Sequence, residues 1–217
     1  MSLELFGHPF SSYTWKVLIA LHAAEIDFEF RVVDADHPDN LEVVQSAGPL
    51  AKFPVLRDGE NLLFEATTII EYLSQHHAPG EMLIPSEPDA AIGIRMLDRV
   101  FDNYVMGPMQ AVVDEYLRDA ENPDADRIAE ARGKLDKVYA WLEGWLQFYP
   151  AADQITLIEC AAAPALFYAD WVHAIPEDRP RLRRWRTHLL RQPAVARCVE
   201  GARPYRQYFP LGDPGRD

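Results

Sequence analysis

Apolar positions follow two different rhythms along this chain. In the first third, short apolar runs alternate with short helical repeats; beyond it, the helical period alone persists. Leu3-Glu4-Leu5-Phe6 reads as a strand that ends at Gly7-His8-Pro9. From Tyr13 to Ala24, the positions Val17, Leu18, Leu21 and Ala24 recur at helical spacing. Phe28 to Val33 partly alternates, which predicts a second strand, and a short irregular helix follows the polar stretch Asp34 to Asn40 as far as Ser46. Pro54 to Arg57 and Asn61 to Phe64 flank Asp58-Gly59 and predict a hairpin, because Asp-Gly supplies the positive φ of a tight turn. Helical periodicity returns from Thr67 to His77 through Ile69, Ile70 and Leu73. The order is β-α-β-α-β-β-α.

Ala78 to Pro88 carries Pro79, Gly80, Pro85 and Pro88 and marks a linker. The chain therefore divides into a first domain over 1–78, a linker over 79–88 and an all-helical domain over 89–217. Ser86-Glu87-Pro88-Asp89 reads as a helix start with Ser86 as the capping hydroxyl. Breaks are expected at Glu121-Asn122-Pro123, Tyr149-Pro150, Ile175-Pro176 and Gln192-Pro193, with a kink at Gly107-Pro108. Thr156-Leu157-Ile158-Glu159 is a capping box opening an apolar helix that Pro164 interrupts.

Composition narrows the function classes. With 217 residues, 48% apolar and 25% charged, the chain has the make-up of an ordinary globular protein. No apolar run approaches the ~20 residues of a membrane span. The start Met1-Ser2-Leu3-Glu4 lacks the pattern of a secretory leader, so a cytoplasmic location is expected. Cys160 and Cys198 fall in different helices, which argues against a disulfide framework. The net charge is −13, and residues 1–85 hold thirteen carboxylates against Lys16, Arg31, Lys52 and Arg57. Such a surface excludes nucleic acid as a natural partner. It also means that any anionic ligand must be held by local groups, because the long-range field repels it.

Chemistry concentrates where the first strand meets the first helix. Ser11-Ser12-Tyr13-Thr14-Trp15-Lys16-Val17 puts two hydroxyls at a helix start, where free N–H groups and the helix dipole favour an anion. Gly48-Pro49-Leu50-Ala51-Lys52-Phe53-Pro54-Val55-Leu56 and Phe64-Glu65-Ala66-Thr67-Thr68 follow. In order and spacing these three segments resemble the α/β thioredoxin-like domain of the glutathione S-transferases. The remainder resembles that family's all-α C-terminal domain.

The resemblance implies a homodimeric transferase that binds glutathione as co-substrate, uses no metal and passes the sulfur to a small electrophile. Ser11 matches the serine that stabilises the thiolate in serine-type classes, with Ser12 in reserve and Tyr13 weaker. Helix capping alone is the plain alternative for both serines. Phe53 precedes a proline that is cis in the family and would hold the cysteinyl backbone beside Pro54. Lys52 stands where some members place a cation near the glycyl carboxylate, and a solvated loop lysine is the alternative. Glu65 would meet the γ-glutamyl ammonium. Ala66 replaces the hydroxyl that usually holds the γ-glutamyl carboxylate, a loss of about 1.5–3 kcal/mol, and Thr67 would compensate. The Ser-Ser-x-x-Trp-x-Val pattern is most similar to the zeta class, although Tyr13 and Lys16 depart from it.

Among Phe101, Tyr104, Val105, Met109 and Val112, which are candidates for the electrophile pocket or for the core, Tyr104 is assigned to the pocket. Arg179, Arg181, Arg183, Arg184 and Arg186 read as a solvated or salt-bridged helix face. Three other functions compete. A thiol–disulfide oxidoreductase needs a cysteine at the first helix, where this chain has none. A non-catalytic binding protein on the same scaffold is motivated by Ala66 and the acidic first domain. A zeta-like isomerase would use glutathione as a cofactor.

Overall fold

A computed structural model describes residues 3–78, 80, 82–149 and 153–217. The sheet is built from β1 (Leu3–Gly7), β2 (Phe28–Val32), β3 (Val55–Asp58) and β4 (Asn61–Phe64), in the order β2-β1-β3-β4. β1 pairs parallel with β2 and antiparallel with β3, so Leu5 lies between Phe30 and Leu56. Gly59, at φ 60, makes the turn between β3 and β4 as its sequence predicts.

Helices α1 (Ser12–Ala23), α2 (Pro38–Ala47) and α3 (Ala66–His76) complete the first domain. The second comprises α4 (Pro88–Val100), α5 (Gly107–Arg118), α6 (Ala125–Trp145), α7 (Leu157–Val172), α8 (Pro180–Arg191) and α9 (Pro193–Ala202). This is the two-domain arrangement expected from the sequence. Among the described residues no helix is long and apolar enough to cross a membrane.

Several local expectations need correction. The cap of α4 is Glu87, not Ser86: its carboxylate accepts from the N–H groups of Asp89 and Ala90, matching a negative group to the helix dipole. Before Gly107-Pro108 the chain makes a π-helical turn over Phe101–Met106, and Pro108 stands in the first turn of α5, where a missing donor costs little. Pro164 lies inside α7 without ending it. The capping box of α7 is complete, with Thr156 and Glu159 each bonding the other's backbone end. Pro79, Glu81 and Pro150, which bear on the linker and on one expected break, fall outside the described residues, as do Met1 and Ser2.

α7 is buried almost all round and packs against α1, so one apolar core spans both domains. α1 is itself sealed from Thr14 to Leu21. The site lies where these sealed elements open.

Candidate functional site

The turn entering α1 is fixed at every residue. Gly7 ends β1 against Thr14: a Cβ there would lie 2.6 Å from Thr14 Cγ2, so no larger residue fits without displacement. The His8 carbonyl accepts from the Ser11 N–H at 3.0 Å, and His8 Nδ1 accepts from the Phe10 N–H at 3.1 Å. Trp15 Nε1 donates to the Pro9 carbonyl at 2.6 Å, and the Tyr168 hydroxyl donates to the Phe10 carbonyl at 2.9 Å. Ser11 is thereby placed as the cap of α1, its Oγ accepting from the Thr14 N–H at 3.2 Å. That bond uses a lone pair and leaves the hydroxyl proton free to donate.

Beside this turn, a cleft of about 320 Å³ opens between the domains. The size suits a small ligand. Its walls include Lys52, Phe53, Pro54, Glu65 and Ala66 from the first domain, Tyr13 from α1, and Arg99, Asp102 and Asn103 from the second. Five residues assigned from sequence thus converge. Ser11, Ser12 and Thr67 are not among the lining residues. The Phe53–Pro54 peptide is cis, as the resemblance implies. Lys52 is exposed and forms no ion pair among the described residues. Tyr13 is on the cleft wall, where burial, reinforced by the Asp102 charge, pushes its hydroxyl up to about 12. It is therefore a protonated donor at neutral pH.

Glu65 occupies the cap position of α3 at φ 68, a left-handed conformation that costs a non-glycine residue about 1–2 kcal/mol. Its side chain makes no capping bond. The first turn of α3 therefore meets the cleft with N–H groups that its own cap does not satisfy.

The Thr67 hydroxyl is engaged elsewhere. It donates to Asp98 Oδ2 at 3.1 Å, accepts from Lys16 Nζ at 2.9 Å and also accepts from Arg99 Nη2. A hydroxyl has one proton, and Asp98 takes it. The hydroxyl is therefore occupied within the protein, and what Thr67 has left for a ligand is its backbone N–H at the start of α3.

Lys16, Thr67, Asp98, Arg99 and Asp102 form a charge cluster under the cleft, joining α1 and α3 to α4 and the π-turn. Burial pushes the Asp102 carboxyl above its ordinary range, although Lys16 opposes the shift. Sequence reasoning missed Arg99 and Asp102. The available signal was Asp98-x-x-x-Asp102, two carboxylates on one helix face among Leu97, Phe101 and Val105.

Tyr104 is exposed and lines a neighbouring groove with Val100, Lys137 and Trp141; Asn103 borders both spaces. Phe101, Val105, Met109 and Val112 are buried core residues. In the arginine cluster, Arg181 pairs with Glu143 and Arg186 with Asp170, the latter largely buried rather than solvated. Cys160 and Cys198 are buried, and burial pushes both thiols up, which makes them inert packing groups. Among the described residues no group of three or more His, Cys, Asp or Glu side chains is placed to hold a metal.

The N-terminal domain profile of the glutathione S-transferases matches residues 5–81 and the C-terminal domain profile matches residues 125–188. Glutathione S-transferase F6 of Arabidopsis thaliana is 27% identical over 210 residues, covering 91% of this chain and 99% of its own. A stringent starvation protein A homolog of Coxiella burnetii is 27% identical over 165 residues, covering 76% of this chain and 75% of its own. A glutathione S-transferase of Methylobacterium radiotolerans, solved in complex with glutathione sulfonate, superposes with TM-score 0.75 at 25% identity, covering 92% of this chain and 95% of its own.

Proposed function

This chain belongs to the glutathione S-transferase family, and from that premise we propose that its interdomain cleft binds glutathione and that the start of α1 holds the bound sulfur as a thiolate for attack on a small electrophile. The observation that carries the reading is the convergence on one cleft of Lys52, Phe53, Pro54, Glu65 and Ala66 beside the capped turn at Ser11.

The energetics are adequate. A thiol with a pKa near 8.5 is only ~3% ionised at pH 7, and lowering that value by about two makes roughly three quarters of it thiolate, for about 2.7 kcal/mol. A hydroxyl donating to the anion supplies about 1.5–3 kcal/mol and the helix N-terminus about 0.3–1. The Ser11 hydroxyl donates a hydrogen bond to the sulfur, while a lone pair of its oxygen still caps α1. Lys52 meets the glycyl carboxylate, the Phe53 backbone meets the cysteinyl unit, and Glu65 meets the ammonium. The groove at Tyr104 takes the electrophile.

A second reading assigns the sulfur's donor to Tyr13, which lines the cleft where Ser11 does not. Two further readings have narrower support. Ala66 and the acidic first domain favour a non-catalytic binding protein on the same scaffold. The Ser-Ser-x-x-Trp-x-Val pattern favours a zeta-like isomerase.

The protein acts in the cytoplasm as a homodimer. Support for the dimer comes from exposed apolar side chains, among them Leu62 and Phe64 on β4 and Ile92 and Met96 on α4. Calorimetric titration with glutathione tests the proposal: saturable binding supports it. No heat at millimolar glutathione leaves the binding-protein reading, and isomerisation of a maleyl substrate without glutathione consumption selects the isomerase.

A further inference from the structure

The departure at Ala66 leaves a ligand carboxylate without its usual hydroxyl, and Thr67 has no proton to offer. The cation beside both is Arg99. Its Nη2 contacts the Thr67 hydroxyl in the first turn of α3, and the residue lines the cleft with Glu65 and Ala66. The guanidinium is oriented from below: Nε donates to Asp98 Oδ2 at 3.0 Å, while Nη2 contacts Asp98 and donates to Asp102 Oδ2 at 2.9 Å. Nη1 has no hydrogen-bond partner among the described residues, and half of the side chain is exposed, at 51%. A planar, pre-oriented fork with one nitrogen unused is suited to a carboxylate.

We propose that Arg99, through Nη1, receives the α-carboxylate of the γ-glutamyl group together with the N–H groups at the start of α3, in place of the hydroxyl that Ala66 lacks. The inference rests on the reading of the cleft as the glutathione site. Charge supports it. Lys16 and Arg99 balance Asp98 and Asp102, so the cluster under the cleft presents a neutral floor with a cationic edge, within a domain whose other charges repel an anion. Glu65, next to this edge and unpaired by any cap, is left for the ammonium, so the zwitterionic head of the ligand meets one group of each sign.

The test compares two ligands: glutathione and its analogue carrying 4-aminobutyryl in place of γ-glutamyl. The analogue keeps the ammonium, the spacing and the thiol but lacks the α-carboxylate. Wild type is expected to bind glutathione at least about tenfold more tightly than the analogue, the effect of one charge-assisted hydrogen bond. Arg99→Gln is expected to lose that preference, binding both at the analogue's level, and Ala66→Ser in the same background is expected to restore part of it. Loss of a merely structural arginine would weaken both ligands and keep their ratio. If Arg99→Gln fails to fold, Arg99→Lys carries the same comparison, because lysine keeps the charge toward Asp98 and Asp102 but has no second nitrogen for the cleft.

An unchanged ratio in the folded variant overturns the assignment while leaving the glutathione site standing. Equal binding of both ligands by wild type also overturns the assignment alone. Absence of binding to wild type removes the site itself, and the assignment with it.

Discussion

Lys16 and Asp98 meet across the domain boundary with Nζ 2.5 Å from Oδ1, and both side chains are sealed from solvent. The lysine comes from the middle of α1 and the aspartate from α4. The remaining donors of Lys16 go to the Thr67 hydroxyl at 2.9 Å and to the Asp102 carboxylate at 2.8 Å, so all three ammonium hydrogens are used. Such a pair contributes little over an apolar replacement of both partners, but breaking it strands a charge.

Lys16→Met is therefore expected to cost about 3–5 kcal/mol in urea unfolding, because Asp98 and Asp102 lose a shared buried cation. Replacing Asp98 as well, in Lys16→Met with Asp98→Leu, is expected to recover a substantial part of that loss. A single substitution costing under about 1 kcal/mol would contradict the interdomain role of the cluster.

At Glu65 stability and binding are expected to separate. Glycine adopts φ 68 without strain and alanine does not, so Glu65→Gly should be about 1 kcal/mol more stable than Glu65→Ala. Both substitutions remove the carboxylate assigned to the ammonium, so both should weaken glutathione binding by calorimetry. Equal stability of the two variants would show that the left-handed backbone carries no strain.

His8 makes stability depend on pH near neutrality. Burial holds its imidazole below the ordinary value of 6.5, with the Asp34 charge acting in the opposite direction. The neutral ring accepts from the Phe10 N–H in the turn that presents Ser11. As pH falls below the unfolded histidine's pKa, the unfolded chain binds the proton first, so stability is present above that point and is lost on the way down through the folded value. His22, shifted the same way by burial, adds to the slope. Unfolding free energy should fall as the pH drops through 6.5 and below, and His8→Gln, which keeps an acceptor for Phe10, should flatten part of the fall. An identical slope in the variant would remove His8 from the account.

What was legible in the sequence was whatever depends on near neighbours. Asp58-Gly59 specifies its hairpin and Thr156 with Glu159 specifies its capping box, because each signal and its partner lie within four residues. The cis bond at Pro54 and the convergence of Lys52, Phe53, Glu65 and Ala66 came from family spacing rather than from local physics. Lys16 could not be read in this way. A lysine in a helix reads as solvated, and what buries this one is a pair of carboxylates, one of them 86 residues away, brought close only when the domains dock. Arg99 escaped for the same reason, since its meaning depends on the first turn of α3 lying opposite. The engagement of the Thr67 hydroxyl could not be read either, because its acceptor, Asp98, belongs to the other domain.

The central claim concerns sulfur ionisation at the start of α1, and the ultraviolet absorbance of the thiolate reports it directly. Glutathione bound to wild type should titrate about two pH units below the free thiol, and in Ser11→Ala the midpoint should move more than half of the way back. A wild-type midpoint equal to that of free glutathione, or a Ser11→Ala midpoint that stays with wild type while Tyr13→Phe moves it, would contradict the assignment of Ser11.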